Sequence, residues 1–259
     1  MAAREQLIES YTAHYRRVNG GGIPVLSPEM SGSMRLMYGP LLALLPTGSR
    51  VLDLGCGTGL FLSWLAAQKN IVPMGLDSSP AQVEQARRSV PNVHIACSDG
   101  LSYLVEHPES FGAIYCFDVL EHLPSIDLCL EWISAAHNAL RPDGFFLCRI
   151  PNGANLAACY SRYMDLTHER CFTSPSILQL LEAGGLQGCR VIPYRAAHMT
   201  GRFRLWLEAT LHRLVFRICG HGQEAIFTNN IHAIGYKRHC HFDQGCMPSS
   251  SSSSLHSIK

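Results

Sequence analysis

The sequence predicts an α/β fold in which a mainly parallel β-sheet carries helices on its faces. From about residue 50 onward, short apolar runs alternate with amphipathic stretches, a pattern typical of strand–helix–strand units. One apolar run leads straight into a glycine-rich turn and then into a helical pattern, as occurs at ligand sites of such sheets. The chain has 259 residues and is 47% hydrophobic, which is enough to bury one large core.

The individual elements follow from these apolar runs and from the turn residues between them. The predicted strands are 50–54, 71–77, 93–97, 112–118, FFLCRIP, LQGCRVIP and 230–237. The predicted helices are 59–68, SPAQVEQARRS, 126–140 and 174–185. Ser79 and Pro80 open the second of these helices, and two glycines end the last.

Three segments fall outside the alternating pattern. Residues 1–48 are expected to form an N-terminal helical flap, and 49–239 the main domain, with an insertion at about 195–229. The insertion contains a basic amphipathic stretch at 198–219, which predicts a lid, a dimer face or a peripheral contact with a membrane surface. Residues 240–259 form a serine-rich tail expected to be disordered, and the HCH motif just before it is not interpreted as a metal site.

Composition narrows the class of protein. Lys and Arg number 21 against 20 Asp and Glu, so general nucleic-acid binding is not expected. The N-terminal residues lack the apolar stretch of a secretory signal, and no apolar run is long enough to cross a bilayer. Eleven cysteines occur without a C-x-x-C pair, which indicates reduced thiols and a cytoplasmic protein, with membrane-peripheral attachment as an alternative.

The strongest functional signal is the stretch VLDLGCGTG at 51–59. Its glycines follow G-x-G-x-G spacing, and Leu60 stands where a dinucleotide loop would place its third glycine. Asp53 directly before the loop would repel a pyrophosphate but attract an ammonium or sulfonium group. Asp77, ending the second strand, can accept ribose hydroxyls. A nucleoside joined to a cationic amino acid satisfies both carboxylates, and S-adenosylmethionine is such a molecule.

With these motifs the chain resembles the class I S-adenosylmethionine-dependent methyltransferases from about residue 33 to 236. The resemblance implies a Rossmann-like, seven-stranded methyltransferase sheet whose last strand is antiparallel. It also implies that the glycine loop binds the methionine part of the cofactor, Asp77 the ribose, and the residues after the third strand the adenine. The implied cofactor-binding residues are Asp53, Gly55, Cys56, Gly57, Gly59, Asp77, Asp99 and Gly100.

The stretch FDVLEHLP is similar to the ubiquinone-pathway O-methyltransferases. That resemblance implies that Phe117 lines the cofactor site and that Arg35 binds the cofactor's carboxylate. It also suggests a divalent ion, Mg²⁺, Mn²⁺ or Zn²⁺, on Asp118, Glu121 and His122. The alternative is that Glu121 and His122 only make local hydrogen bonds, as in many members of the family.

A second polar stretch, DLTHERCFT at 165–173, follows the fifth strand. Asp165 and His168 are expected to face His122 across the acceptor, with His168 as a general base or a further metal ligand. The alternative is that they only stabilise their loop. The stretch is similar to segments of bacterial methyltransferases associated with surface-polysaccharide synthesis.

These inferences predict methyl transfer to a hydroxyl oxygen of a small molecule, a saccharide or a lipid-linked acceptor. Two alternatives remain open from the sequence: a non-catalytic binding or scaffold protein of the same fold, and a nicotinamide-dependent oxidoreductase. Leu60 and Asp53 disfavour the oxidoreductase.

Overall fold

The computed structural model describes Arg17 and residues 24–221 and 226–238. Its centre is a seven-stranded sheet in the order β3-β2-β1-β4-β5-β7-β6. β7 runs antiparallel to both of its neighbours, and the pairs among β1 to β5 are parallel. The strands are β1 Ser49–Leu54, β2 Ile71–Asp77, β3 His94–Cys97, β4 Phe111–Phe117, β5 Leu140–Pro151, β6 Gln187–Ile192 and β7 Asn230–Tyr236.

Eight α-helices in the described residues connect and cover these strands. They are α1 Pro28–Leu42, α2 Leu60–Ala66, α3 Pro80–Ser89, α4 Gly100–Glu106, α5 Ile126–Ala139, α6 Ala158–Tyr163, α7 Ser174–Ala183 and α8 Met199–Ile218, with a short 3₁₀ turn at Leu120–His122. Side-chain oxygens of Ser27, Ser79 and Ser125 accept a backbone N–H at the start of their helices. Each cap satisfies a donor that the first turn leaves unpaired.

The core lies on both faces of the sheet because side chains alternate along each strand. On β4, Ile114 and Cys116 pack into one apolar cluster, whereas Ala113 and Tyr115 pack into the other. Helix α5 contributes to the first cluster, and α1 and α2 contribute to the second. The central strands are therefore buried on both faces, as expected for a parallel sheet.

The predicted α/β architecture, including the antiparallel last strand, is confirmed. Of the predicted N-terminal flap, the described residues include helix α1. The predicted amphipathic stretch at 198–219 contains α8, Met199–Ile218. Helices α4 and α6 were not predicted; they have seven and six residues, too few for a clear 3.6-residue period. The predicted tail at 240–259 and the HCH motif lie outside the described residues.

Candidate active site

The glycine loop after β1 has the left-handed backbone that its composition predicts. Gly55, Gly57 and Gly59 have φ angles of 80°, 53° and 87°. The N–H groups of Gly55 and Cys56 both donate to the carbonyl of Leu76, which ties the loop to β2. Cys56 itself is buried. Only glycine adopts this conformation without strain, so the loop backbone is held in an open bend at the carboxyl edge of the sheet.

The surroundings of Gly55 and Gly57 differ. A Cβ on Gly55 would lie 2.3 Å from Val119 Cγ2, because the segment after β4 packs directly on the loop. A Cβ on Gly57 would meet nothing within 4 Å. Gly57 N–H donates to Asp77 Oδ2 over 2.9 Å, and Ser79 N–H donates to Asp77 Oδ1 over 2.9 Å. Asp77 therefore holds the loop in place beside an open space above Gly57.

Asp53 is the buried acidic group beneath this loop. It is 2% exposed, and its Oδ2 has no hydrogen-bond partner among the described residues. Burial raises the pKa of Asp53 to about 7, with Asp77 adding to the increase and Arg149 opposing it. An unpaired buried carboxylate is costly, and a cation bound nearby would offset that cost. The loop and Asp53 thus fit a cationic nucleoside better than a pyrophosphate.

The other residues predicted for the cofactor site have structural contacts of their own. Asp99 is exposed and caps α4, accepting from the N–H and hydroxyl of Ser102. A Cβ on Gly100 would lie 2.3 Å from Trp132, so the glycine permits close helix packing. Arg35 is exposed on α1. These contacts give Asp99 and Gly100 a role in the fold. Their predicted contact with adenine, and the predicted contact of Arg35 with the cofactor's carboxylate, stay predictions.

Phe117 ends β4 in an aromatic cluster on the α1 side of the sheet. Its ring centroid lies 4.6 Å from that of Phe61 and 5.5 Å from that of Tyr38. The guanidinium of Arg149 lies over the Phe117 ring, 4.9 Å from its centroid. Phe117 therefore forms a rigid apolar wall between the strand ends and the glycine loop.

Asp118 forms an ion pair with Arg149 instead of joining the predicted metal ligands. Arg149 Nε donates to Asp118 Oδ1 over 3.0 Å, and its Nη2 donates to Asp118 Oδ2. Asp118 has a left-handed φ of 55°, which turns the chain sharply after β4. Burial alone would lower the pKa of Arg149, but Asp118 outweighs burial and raises it. The two groups form a fixed pair at the carboxyl ends of β4 and β5.

Glu121, His122 and His168 come together next to this pair. One ligand atom from each lies within 4.8 Å of the other two, a spacing compatible with a metal ion. The centroids of the two imidazole rings are 4.7 Å apart. Glu121 is 1% exposed, its Oε2 has no partner among the described residues, and burial raises its pKa well above the ordinary value. The two loops meet, but the imidazole rings are in contact with each other and leave no acceptor between them, and His168 takes the place predicted for Asp118.

Hydrogen bonds orient both histidines. His168 Nδ1 lies 2.9 Å from the carbonyl of Ser161, which can only accept, so the ring carries its proton on Nδ1 and its lone pair on Nε2. Thr167 Oγ1 donates to Asp165 Oδ1 over 2.7 Å and lies 2.8 Å from His122 Nδ1. Because the threonine proton is committed to Asp165, His122 Nδ1 is the donor in this second contact.

Burial shifts the pKa of His122, and hydrogen bonds shift the pKa of Asp165. Burial first, and His168 second, lower the pKa of His122 to about 4, so it is neutral at physiological pH. Burial would raise the pKa of Asp165, but its hydrogen bonds from Thr167 outweigh this and lower it. Asp165 is thus linked to His122 through Thr167, and its predicted position facing the acceptor stays a prediction.

A cavity of about 270 Å³ opens between α1, α8 and the start of β7. Tyr38, Tyr194 and His232 line it with Arg149. His232 is 3% exposed, its Nδ1 has no partner among the described residues, and burial lowers its pKa to about 3. His232 was not among the predicted site residues, because the sequence of β7 does not show which residues of the neighbouring strand lie beside it.

The fold and the loop together give a seven-stranded α/β domain with a buried acidic group below a glycine bend. Residues 31–191 match the family described as "Methyltransferase domain". The chain belongs to this family, which confirms the resemblance found in the sequence.

Sequence identity to individual relatives is low and covers only part of each protein. The chain is 33% identical over 159 residues to the ubiquinone biosynthesis O-methyltransferase of Xanthomonas campestris, covering 56% of this chain and 64% of that protein. It is 29% identical over 140 residues to a probable S-adenosylmethionine-dependent methyltransferase of Mycolicibacterium smegmatis, covering 54% of this chain and 52% of the relative. The chain thus spans less than two thirds of these curated relatives.

Solved structures show the same fold. A SAM-dependent methyltransferase from Archaeoglobus fulgidus has a TM-score of 0.58 at 17% identity, over 77% of this chain and 90% of its own. A possible histamine N-methyltransferase from Thermotoga maritima has a TM-score of 0.54 at 13% identity, over 90% and 95% of the two chains. At such identities the likeness concerns architecture alone.

Proposed function

We propose that the chain is an S-adenosylmethionine-dependent methyltransferase that transfers the methyl group to a hydroxyl oxygen. The observation that carries the cofactor assignment is Asp53, a buried carboxylate with an unpaired oxygen beneath an open glycine bend. Bound there, the cofactor supplies an already activated methyl group on a positively charged sulfur. The chain's own task is then to align the acceptor and to remove its proton.

Within this proposal His168 is the general base. Its Nδ1–H is held by the Ser161 carbonyl, so Nε2 could accept the proton that an acceptor hydroxyl must lose on methylation. His122, held by Thr167 and Asp165, stands beside it as a neutral second imidazole. Contact between Val119 and Gly55 keeps the segment that carries His122 next to the glycine loop.

The cavity beside Arg149 is the proposed acceptor site. It lies at the carboxyl ends of the strands, where ligands bind in sheets of this type. Tyr38, Tyr194 and His232 offer aromatic walls. The charged groups at its edge are Arg204, Glu208 and Arg149, and Arg149 is already paired with Asp118. A small acceptor with a flat or apolar body and a hydroxyl fits these walls better than a purely anionic one. His232 lines this cavity and is a second candidate for contact with the acceptor hydroxyl, whereas His168 is not among the lining residues, so an acceptor must extend beyond the cavity to reach it.

The relatives support oxygen as the acceptor atom only in a general way. Several are named ubiquinone biosynthesis O-methyltransferase, and they share with this chain less than two thirds of their length. The paired imidazoles support the same conclusion, because a hydroxyl must lose a proton during transfer. A cytoplasmic location, peripheral to a membrane, is proposed with the docking surface described below.

A metal-assisted variant of this reaction is the second candidate. Glu121, His122 and His168 provide one carboxylate and two imidazoles, a ligand set suited to Zn²⁺, Mn²⁺ or Fe²⁺ and less suited to Mg²⁺. These three residues would hold the ion, which would supply Lewis acidity to an acceptor oxygen. Thr167 and Ser161 would then act as outer partners that orient the two rings.

Cofactor binding and proton removal can be tested separately. Calorimetry with S-adenosylmethionine, S-adenosylhomocysteine and NADH should show uptake of the first two only. His168→Ala should leave the Kd for S-adenosylhomocysteine unchanged while turnover of a phenolic or sugar-alcohol acceptor falls about 100-fold or more. His94→Ala, at an exposed histidine on β3, is the matched control. Unchanged turnover in His168→Ala would remove the base assignment.

The metal branch has its own measurement. Metal analysis of the purified chain, followed by exhaustive chelation, should show stoichiometric metal and loss of turnover that returns when Zn²⁺ or Mn²⁺ is added. Glu121→Gln should weaken metal retention about 10-fold or more without changing binding of S-adenosylhomocysteine. Full activity in the chelated protein would leave the base mechanism as the sole candidate.

A further inference from the structure

Helix α8 presents an apolar stripe to solvent on the side opposite its packed face. The stripe, called here the α8 stripe, consists of Met199, Phe203, Trp206, Leu207, Leu211, Leu214 and Ile218. All seven side chains are more than half exposed, from 55% for Leu207 and Leu211 to 78% for Ile218. Single exposed apolar residues are common on proteins, but a continuous row along 20 residues of helix is not.

Among the residues that the structure describes, α8 is anchored by its packed face and not by the α8 stripe. The packed face is anchored by other residues: Leu156 N–H donates to His212 Nε2 over 2.9 Å, and Asn155 donates to Glu208 Oε1 over 3.0 Å. The Phe216 and Phe227 rings also pack with their centroids 4.9 Å apart. Closing α8 further onto the domain would bury this same face, so a lid role would still leave the stripe in water.

The charges around the stripe are of one sign. Arg202, Arg213 and Arg217 lie along one edge of it at helical spacing, and Arg204 lies on the other edge. All four arginines are exposed, and the helix contains one acidic residue, Glu208, on the packed face. A two-fold contact between copies of this face would bring arginines together with no carboxylate from α8 to compensate them. The pattern instead complements an apolar layer with a negatively charged surface.

We propose that the α8 stripe docks the protein on an anionic membrane surface, with the helix lying in the interface. The apolar side chains would enter the boundary of the acyl chains, and the arginines would contact the phosphate-bearing head groups. None of the described helices has the length and apolar character that crossing a bilayer requires, so the contact is peripheral.

The position of α8 gives this contact a consequence for the acceptor. Arg204, Leu205 and Glu208 from the same helix line the proposed acceptor cavity. One helix would thus face the membrane on one side and the cavity on the other, which suits an acceptor carried by a lipid. This last step rests on the proposed function, whereas membrane docking does not.

Flotation of the full chain with lipid vesicles tests the docking surface without any activity measurement. Binding is expected with vesicles of phosphatidylcholine plus phosphatidylglycerol, and little with phosphatidylcholine alone. Arg213→Gln and Arg217→Gln should each weaken binding about fivefold. Leu207→Ser combined with Leu211→Ser should reduce it at least about tenfold. Val105→Ser and Arg141→Gln, at exposed positions outside α8, are the matched controls.

Trp206 gives a second measurement on the unaltered protein. Of the three tryptophans, Trp64 is buried and Trp132 half-buried, whereas Trp206 is 60% exposed. Anionic vesicles should shift its fluorescence to shorter wavelength, and brominated lipids should quench it. An unshifted spectrum, or flotation that the stripe variants leave unchanged, would overturn the proposal. So would a dimer in analytical ultracentrifugation that the leucine variants dissociate, because the stripe would then be a protein interface.

Discussion

The environment of Asp53 opposes its charged state. Its carboxyl is buried and carries an oxygen without a partner among the described residues, and burial raises its pKa to about 7. Since the folded pKa lies above the unfolded value of 3.8, the group stabilises the fold only in acid, and this contribution is lost as the pH rises through about 7. Above about pH 7 the protein without ligand therefore carries a buried, destabilising carboxylate at Asp53. This charged form is the one that a cationic ligand would bind.

Asp53→Asn should separate stability from binding. Removing the buried charge should raise the free energy of unfolding at about pH 8 by ~1–3 kcal/mol. The same change should weaken S-adenosylmethionine binding at least about tenfold, because the compensating charge is gone. Chemical denaturation and calorimetry measure the two effects.

Asp143→Asn is the control for this change. Asp143 is an exposed residue in the amino-terminal part of β5 with φ of 67°, a conformation that asparagine also adopts, so cofactor binding should not change. If Asp53→Asn bound the cofactor normally, the charge argument for the site would be contradicted.

The role of the glycine loop can be tested by comparing Gly57 with Gly48, a glycine of similar conformation outside the loop. Gly57 and Gly48 both have left-handed φ angles, 53° and 81°, and a Cβ on either would meet nothing within 4 Å. Gly57→Ala and Gly48→Ala should each cost about 1 kcal/mol of stability, from backbone strain alone. Only Gly57→Ala should also weaken cofactor binding, because its new methyl group would point into the space above the loop.

Thermal denaturation and calorimetry on both glycine variants give the comparison. Gly55→Ala is the opposite case, since its Cβ would clash with Val119 at 2.3 Å and destabilise the fold as a whole. Equal cofactor affinities in Gly57→Ala and Gly48→Ala would show that the loop does not approach the ligand.

The cofactor side of the site could be predicted because its residues lie close together in the sequence. The pattern of Asp53, three glycines and Asp77 is local, and strand, bend and strand follow from it directly. The separation of Asp118 from Glu121 and His122 was not predictable, because it depends on Arg149 at the far end of β5. A left-handed φ at Asp118 likewise reflects this tertiary contact and has no sign in the residue type.

The order of the strands in the sheet brings together residues that are far apart in the sequence. β7 inserts between β5 and β6, which pairs His232 with Arg149 across 83 positions of sequence (232 − 149). The same insertion places His232 next to Tyr194, with ring centroids 6.0 Å apart. Only knowledge of this topology identifies the cavity, so the acceptor side was less predictable than the cofactor side.

Burial lowers the pKa of His232 and raises that of Asp53, so the two groups make the free energy of unfolding depend on pH in opposite directions. The folded pKa of His232, about 3, lies below its unfolded value of 6.5, so its contribution is fully present above about pH 6.5 and is lost as the pH falls toward 3. Asp53 acts in the other direction between 3.8 and about 7. Around neutral pH the contribution of His232 is complete, whereas the buried carboxyls Asp53 and Glu121, whose pKa values burial raises, both favour the fold less as the pH rises.

A cationic ligand beside Asp53 should therefore stabilise the protein more at about pH 8 than at about pH 6, because ionisation of the carboxyl no longer has to be driven against burial when the ligand is bound. The increase in melting temperature caused by S-adenosylmethionine should grow between these two pH values. 5′-Methylthioadenosine, which has the nucleoside but no cationic group, should give an increase that stays constant, and Asp53→Asn should abolish the difference between the two ligands. A pH-independent increase with both ligands in the unaltered chain would mean that Asp53 does not meet the positive charge, and the cofactor's cation would then have to be placed elsewhere along the loop.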